Sequence, residues 1–130
     1  MSRREEIRVP ELAEPFSHYT DAVRADDLLF VSGCIAVDRD GRLVGGDDVV
    51  AQTRQVFRNV EAILAAAGAA IRDVVKVTVF LTDVRDRAAV DTVRREVFGD
   101  VRPASTLVEV SNLVVPGALV EVEAVALLRS

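Results

Sequence analysis

Two glutamates interrupt a strand-like apolar run, Val120-Glu121-Val122-Glu123-Ala124-Val125. Strand alternation puts both on one face, with Leu119 and Val125. A carboxyl on an apolar face is poorly solvated, and a like charge two residues away adds repulsion. Both effects raise its pKa, and a carboxyl so tuned can move protons near neutral pH. The plainer reading, a solvated or salt-bridged face, is the one that spacing alone favours. Glu109 would lie roughly opposite this pair if the preceding strand forms a hairpin with it through Pro116-Gly117. A second interruption is Ser32-Gly33-Cys34. Glycine inside a strand marks a bulge, a close backbone approach, or a plain packing accommodation. Cys34 reads as a small buried hydrophobe sooner than as a nucleophile. Ser17 and His18 are adjacent, and neighbouring residues rarely face each other, so they make a poor nucleophile and base. Gly45-Gly46 lacks the rest of a phosphate loop, and no G-x-S-x-G elbow is present.

The elements that must position these residues follow from periodicity. Leu28 to Val37 is a nearly continuous apolar run and reads as a strand buried on both faces. Asp40-Gly41 turns the chain, and Arg42-Leu43-Val44 is a short return. Gly45-Gly46-Asp47-Asp48 supplies a loop and helix N-caps. Val49, Val56, Val60, Ile63, Leu64 and Ala67 form one helical stripe, and Gly68 stops it. Val75, Val77, Val79 and Leu81 alternate with Lys76, Thr78 and Phe80 as in a strand. A second helix runs from about Arg85 to Phe98, burying Ala89, Val90, Val93 and Val97, with Gly99 as its stop. Ser105–Val110 and Ala118–Leu128 complete the set as two hairpin strands. The expected fold is α+β: a mixed sheet with both helices on one face. The other face keeps many apolar side chains, so self-association is the default expectation.

Composition narrows the function classes. The 130 residues fit one domain, 1–130, and half are hydrophobic, enough for a core without disulfides or metal. One cysteine and one histidine supply too few ligands for an ordinary metal centre. Net charge is −5, with Lys76 the only lysine and the arginines scattered among acids, which argues against a nucleic-acid backbone as partner. No apolar run is long enough to span a bilayer. The opening Met1-Ser2-Arg3-Arg4-Glu5-Glu6 turns acidic where a signal peptide turns apolar, so a cytoplasmic location is expected.

The order of motifs resembles the RidA (YjgF) family of enamine/imine deaminases. The resemblance is carried by Leu29-Phe30-Val31-Ser32-Gly33, Gln52-Thr53-Arg54-Gln55-Val56 after Gly45-Gly46-Asp47, and Asn59 to Gly68. It continues through Asp73 to Asp83, Phe98-Gly99-Asp100, Arg102-Pro103-Ala104 and Pro116 to Ala124. It implies a chorismate mutase-like fold and a homotrimer whose sheets line a central barrel, with substrate clefts between subunits. It implies hydrolysis of reactive enamines or imines to a keto acid and ammonia, without a cofactor. The family's cleft tyrosine falls on Tyr19, its cleft-lining backbone on Ser32, Gly33, Cys34 and Ile35, and its water-positioning glutamate on Glu121. The family's carboxylate-gripping arginine, which follows a Pro-Ala pair, falls on Ser105, followed by Thr106. The usual carboxylate grip is thereby lost, and the two hydroxyls would suit a neutral or differently oriented substrate. Should a carboxylate still be held, Arg102 is the nearest suspect. Ser17-His18 replaces the family's Gly-Pro, placing His18 near the cleft mouth.

Overall fold

Strand β6 (Val120–Leu127) sets the pattern of the whole sheet. Its even residues Val120, Val122, Ala124 and Ala126 are buried, while its odd residues Glu121, Glu123, Val125 and Leu127 face away from the core. A strand so apolar on one side is stabilised most by having neighbours on both edges, and β6 takes a central place. The computed structural model describes residues 3–129. It contains β1 (Arg4–Ile7), β2 (Ala22–Ala25), β3 (Leu28–Cys34), α1 (Val49–Ala66), β4 (Val74–Leu81), α2 (Arg87–Phe98), β5 (Ala104–Glu109) and β6. The six strands form one sheet in the order β1-β2-β3-β6-β4-β5. All neighbours are antiparallel except β4 and β5.

The core lies between the sheet and the helices. Val56, Phe57, Val60, Ile63 and Leu64 of α1 and Val90, Val93 and Phe98 of α2 pack on Leu29, Val31, Val77, Val79, Leu81 and the even residues of β6. Asp48 caps α1 by accepting from the Val50 and Ala51 amides at 3.0 and 3.2 Å. Gly68, at φ +77°, ends it: the Gly68 and Ala69 amides donate back to Ala65 and Leu64. Phe57 and Phe98 meet edge-on across the helix pair, with ring centroids 5.7 Å apart.

The mixed α+β sheet with two helices on one face is as expected, but four local readings change. The last two strands do not form a hairpin. Residues 110–119 carry the chain back across the sheet, β5 pairs in parallel with β4, and β6 inserts between β3 and β4. Glu109 therefore pairs with Leu81 and accepts from the Val84 amide, away from Glu121 and Glu123. The run at β3 is buried on one face only; Phe30 is 46 % exposed on the other. An irregularity between Val74 and Lys76 buries Val74 and turns Val75 outward. The short strands β1 and β2 had no sequence signal: Arg4-Glu5-Glu6-Ile7 is a polar edge, held by backbone pairing with β2. The sheet face opposite the helices stays uncovered, with Phe30, Val108 and Leu127 exposed there.

Gln52 pins the approach to β6. It is fully buried; its Nε2 donates to the Gly46 and Gly117 carbonyls, and its Oε1 accepts from the Leu119 amide. Replacing it with the similarly sized leucine, Gln52→Leu, strands these backbone groups. An unpaired buried group costs about 1–3 kcal/mol, so urea unfolding is expected to show a loss of at least that size. An unchanged midpoint would mean that the loop relaxes to water without cost.

Candidate functional site

The site is built where β3 bulges against β6. Between Val31 and Cys34 the register slips, so that Ser32 and Gly33 are accommodated opposite Glu123. Gly33 is needed for space, not for a left-handed backbone. A Cβ placed there would stand 2.2 Å from Glu121 Oε2 and 2.8 Å from its Cδ. The Glu121 carboxyl thus lies directly over the glycine.

The segment before β2 forms the other wall, and Asp21 anchors it. The Asp21 carboxylate accepts from the Val9 amide and from Arg8 Nη1, both at 2.8 Å. Arg8 also donates to the Val9 and Leu12 carbonyls. Thr20 donates to Ile7 O at 2.8 Å, and Ser32 Oγ donates to Thr20 O at 2.6 Å. Tyr19 is held at the end of this clamp, its hydroxyl accepting from the Phe16 amide at 3.2 Å. Asn59 supports the floor from α1 by donating to the carbonyls of Ile35 and Val37, both at 3.0 Å.

These elements enclose a cleft of about 470 Å³ lined by Tyr19, Ser32, Gly33, Ile35, Glu121 and Glu123, with Phe16, Ser17 and Val114 at its rim. Glu121 is its one desolvated acid. Burial first, and the charge of Glu123 second, raise its pKa above the ordinary carboxyl value. Among the described residues no cation or hydrogen-bond donor reaches that carboxyl within bonding distance. The arrangement is a desolvated carboxyl in a cleft that Tyr19 also lines.

The other anticipated residues lie elsewhere. Cys34 is buried beneath the cleft, bordering a smaller cavity of about 50 Å³, and its thiol donates to Ser32 O at 3.5 Å. Burial, and then the charges of Asp21 and Glu121, push that thiol up to about 12, so it carries no thiolate at neutral pH. His18 is exposed on an adjoining opening that shares Tyr19 and Ser32 with the cleft. Ser105 and Thr106 stand on the outermost strand β5, separated from β6 by β4. They point to opposite faces: Thr106 accepts from Lys76 Nζ at 2.7 Å on the open face, while Ser105 shares the helix side with Leu107. One ligand cannot use both hydroxyls as a substitute for a single arginine. Sequence reasoning missed Phe16 and Val114. Each is an exposed apolar residue beside a proline-containing turn, a signal visible in Pro15-Phe16 and Val114-Val115-Pro116.

A sheet backed by two helices, with a desolvated carboxyl over a glycine bulge and a tyrosine-bearing loop across it, defines a RidA-like α+β protein. The family model described as Endoribonuclease L-PSP matches residues 10–128. A RutC family protein of Pyrococcus horikoshii is 43% identical over 124 residues, spanning 95% of this chain and 97% of that one. The protein named 3-aminoacrylate deaminase RutC, from Acinetobacter baylyi, is 38% identical over 122 residues, spanning 93% and 96%. The crystal structure of the YjgF gene product of E. coli superposes with a TM-score of 0.88 at 33% identity, covering 96% of this chain and 99% of that chain. The chain belongs to this RidA/YjgF (RutC) family.

Gly33→Ala isolates the close approach. The group displaced is the end of a flexible side chain, so the fold should survive while the carboxyl swings outward. Carbon-13 NMR titration of Glu121 Cδ is then expected to move down toward the ordinary carboxyl range, because solvation is regained. An unchanged titration would show that the glycine does not set the environment of Glu121.

Proposed function

We propose that this chain is a hydrolytic deaminase of reactive enamines or imines, with altered substrate choice. The observation that carries the reading is Glu121: half-buried, unpaired, and lining a cleft together with Tyr19. The relative named for 3-aminoacrylate deamination supports the same class of reaction. An enamine tautomerises to an imine, whose carbon is electrophilic. Glu121 orients a water and takes its proton as the oxygen adds to that carbon. The imine nitrogen is protonated, giving a carbinolamine. Collapse to the carbonyl breaks the C–N bond, ammonia leaves, and the proton held by Glu121 returns to solvent or to the leaving nitrogen. The sum is imine plus water to carbonyl plus ammonia. Tyr19 and the β3 backbone would orient the substrate.

The reading includes a homotrimer with clefts between subunits. Ser105 and Glu121 are two strands apart in one chain, so a site that uses both needs two subunits. The uncovered apolar sheet face also needs a cover, and a second copy provides one. Sedimentation equilibrium at micromolar concentration is expected to give three times the mass of 14.1 kDa. A monomer at that concentration would remove both arguments.

A second reading is a non-catalytic trimer that binds small metabolites or docks on a partner, and Ser105 at the arginine position favours it. Ammonia release from an imine generated in situ by a dehydratase separates the two. For a deaminase, Glu121→Gln is expected to lower turnover about 10²-fold or more, the usual scale of acid–base catalysis. Glu123→Gln should do much less to the maximal rate. It should, however, shift the acid limb of kcat/KM to lower pH. Glu123's charge disfavours the Glu121 carboxylate, so removing it lowers the Glu121 pKa. Equal turnover of wild type and Glu121→Gln would take this residue out of the reaction.

A further inference from the structure

The cleft over Gly33 is uneven in charge and in polarity. Among the described residues that line it, Glu121 and Glu123 are the charged ones, and none is arginine, lysine or histidine. No described residue forms an ion pair or hydrogen bond with either glutamate side chain. Cations of the adjoining openings are engaged elsewhere: Lys76 Nζ donates to Thr106 Oγ1 at 2.7 Å, and Arg4 Nη1 donates to Glu6 at 2.9 Å. A field of this sign attracts a protonated imine, which is also the more electrophilic form. It repels a carboxylate brought beside it.

The remaining wall is largely apolar, and two of its side chains face water on a backbone that is tied down. Leu113 and Val115 pack on the small cluster of Ile35, Val37 and Ala118, which leaves Val114 between them 68 % exposed. Phe16, 44 % exposed, stands in a turn closed by two hydrogen bonds. Its amide donates to Tyr19 Oη at 3.2 Å, and the Tyr19 amide donates to Ser17 O at 2.9 Å. Phe16 and Val114 line the cleft together with Tyr19 and Ile35, so an apolar guest there covers exposed apolar surface. We propose that the cleft selects a carboxylate-free imine of a primary amine, bound as the iminium cation, with Glu121 and Glu123 balancing its charge and Phe16 and Val114 holding its apolar substituent. The proposal rests on the deaminase reading and names the substrate class of that site. The reaction balances as iminium plus water to aldehyde plus ammonium. Water oxygen adds to the carbon as Glu121 takes a proton, and that proton passes to nitrogen. The C–N bond then breaks, and the hydroxyl proton leaves on the ammonia.

The test is calorimetric titration of the intact protein at neutral pH with three probes of one shape. These are 3-methylbutanamidine (cationic), 3-methylbutanamide (neutral) and 3-methylbutanoate (anionic). Wild type is expected to bind the amidine at least about 10-fold more tightly than the acid, the scale of one charged hydrogen bond, with the amide between them. Glu123→Gln should narrow that ratio by about 2- to 5-fold, as for an exposed charge pair. Phe16→Ala, at an exposed position that leaves the core intact, should weaken all three probes alike by about 5-fold. Acetamidine, which lacks the branched chain, should not respond to it. Turnover is then compared for two imines made in situ, from 3-methylbutylamine by an amine oxidase and from leucine by an amino-acid oxidase, with semicarbazide trapping what remains. The amine-derived imine should show the higher kcat/KM, by about 10-fold or more. Binding of the acid as tightly as the amidine, or no effect of Phe16→Ala on any probe, overturns the proposal. Hydrolysis that favours the leucine-derived imine also overturns it and leaves the deaminase reading standing. Amidine preference in a protein that hydrolyses neither imine sinks the deaminase reading and keeps the cleft's choice of guest.

Discussion

Glu121 keeps its carboxyl against the sheet only because residue 33 has no side chain; a Cβ there would stand 2.2 Å from Oε2. Several other features follow from that contact. The bulge between Val31 and Cys34, opposite Glu123, brings the bare backbone of Gly33 under the Glu121 carboxyl. The carboxyl held there has its pKa raised by burial first and by the charge of Glu123 second. Serine, glycine and cysteine interrupt an otherwise apolar strand because three different needs meet there. Ser32 ties the loop down through Thr20, Gly33 makes room, and Cys34 returns the strand to the core.

The polar groups buried behind the cleft are the second layer of the same design. Gln52 and Asn59 both project from α1 and spend their amides on backbone carbonyls. A helix side chain that satisfies loop backbone fixes the loop relative to the core, where an apolar contact would let it slide. Asp21 does the same for the segment bearing Tyr19, with Arg8 neutralising its charge. The cleft thus has hydrogen-bonded walls, and its exposed apolar residues are Phe16 and Val114.

How much of this could be read from the sequence depends on the range of the forces involved. Both helices, their glycine stops and the alternation of β4 and β6 were legible because they are local. So was the carboxyl on an apolar strand, since Val120 to Val125 fixes the faces. The pairing of β6 between β3 and β4 was not legible. Pro116-Gly117 does turn the chain, at φ +88° for Gly117, but a turn does not say which strand lies next to which. Sheet order is decided by which strands bury most, a sum over the whole molecule. Strand alternation alone sets Ser105 and Thr106 on opposite faces, but which of them takes the helix side is revealed only by the β4–β5 pairing.

The inert thiol of Cys34 bears on durability. Under the proposed function an electrophilic carbon would enter the cleft, and an ionised Cys34 could add to it and form a covalent dead end. With its thiol pushed up to about 12 and its side chain turned into the core, Cys34 is shielded twice, by protonation and by geometry. The fold can therefore keep its one cysteine behind the cleft without presenting a thiolate to it.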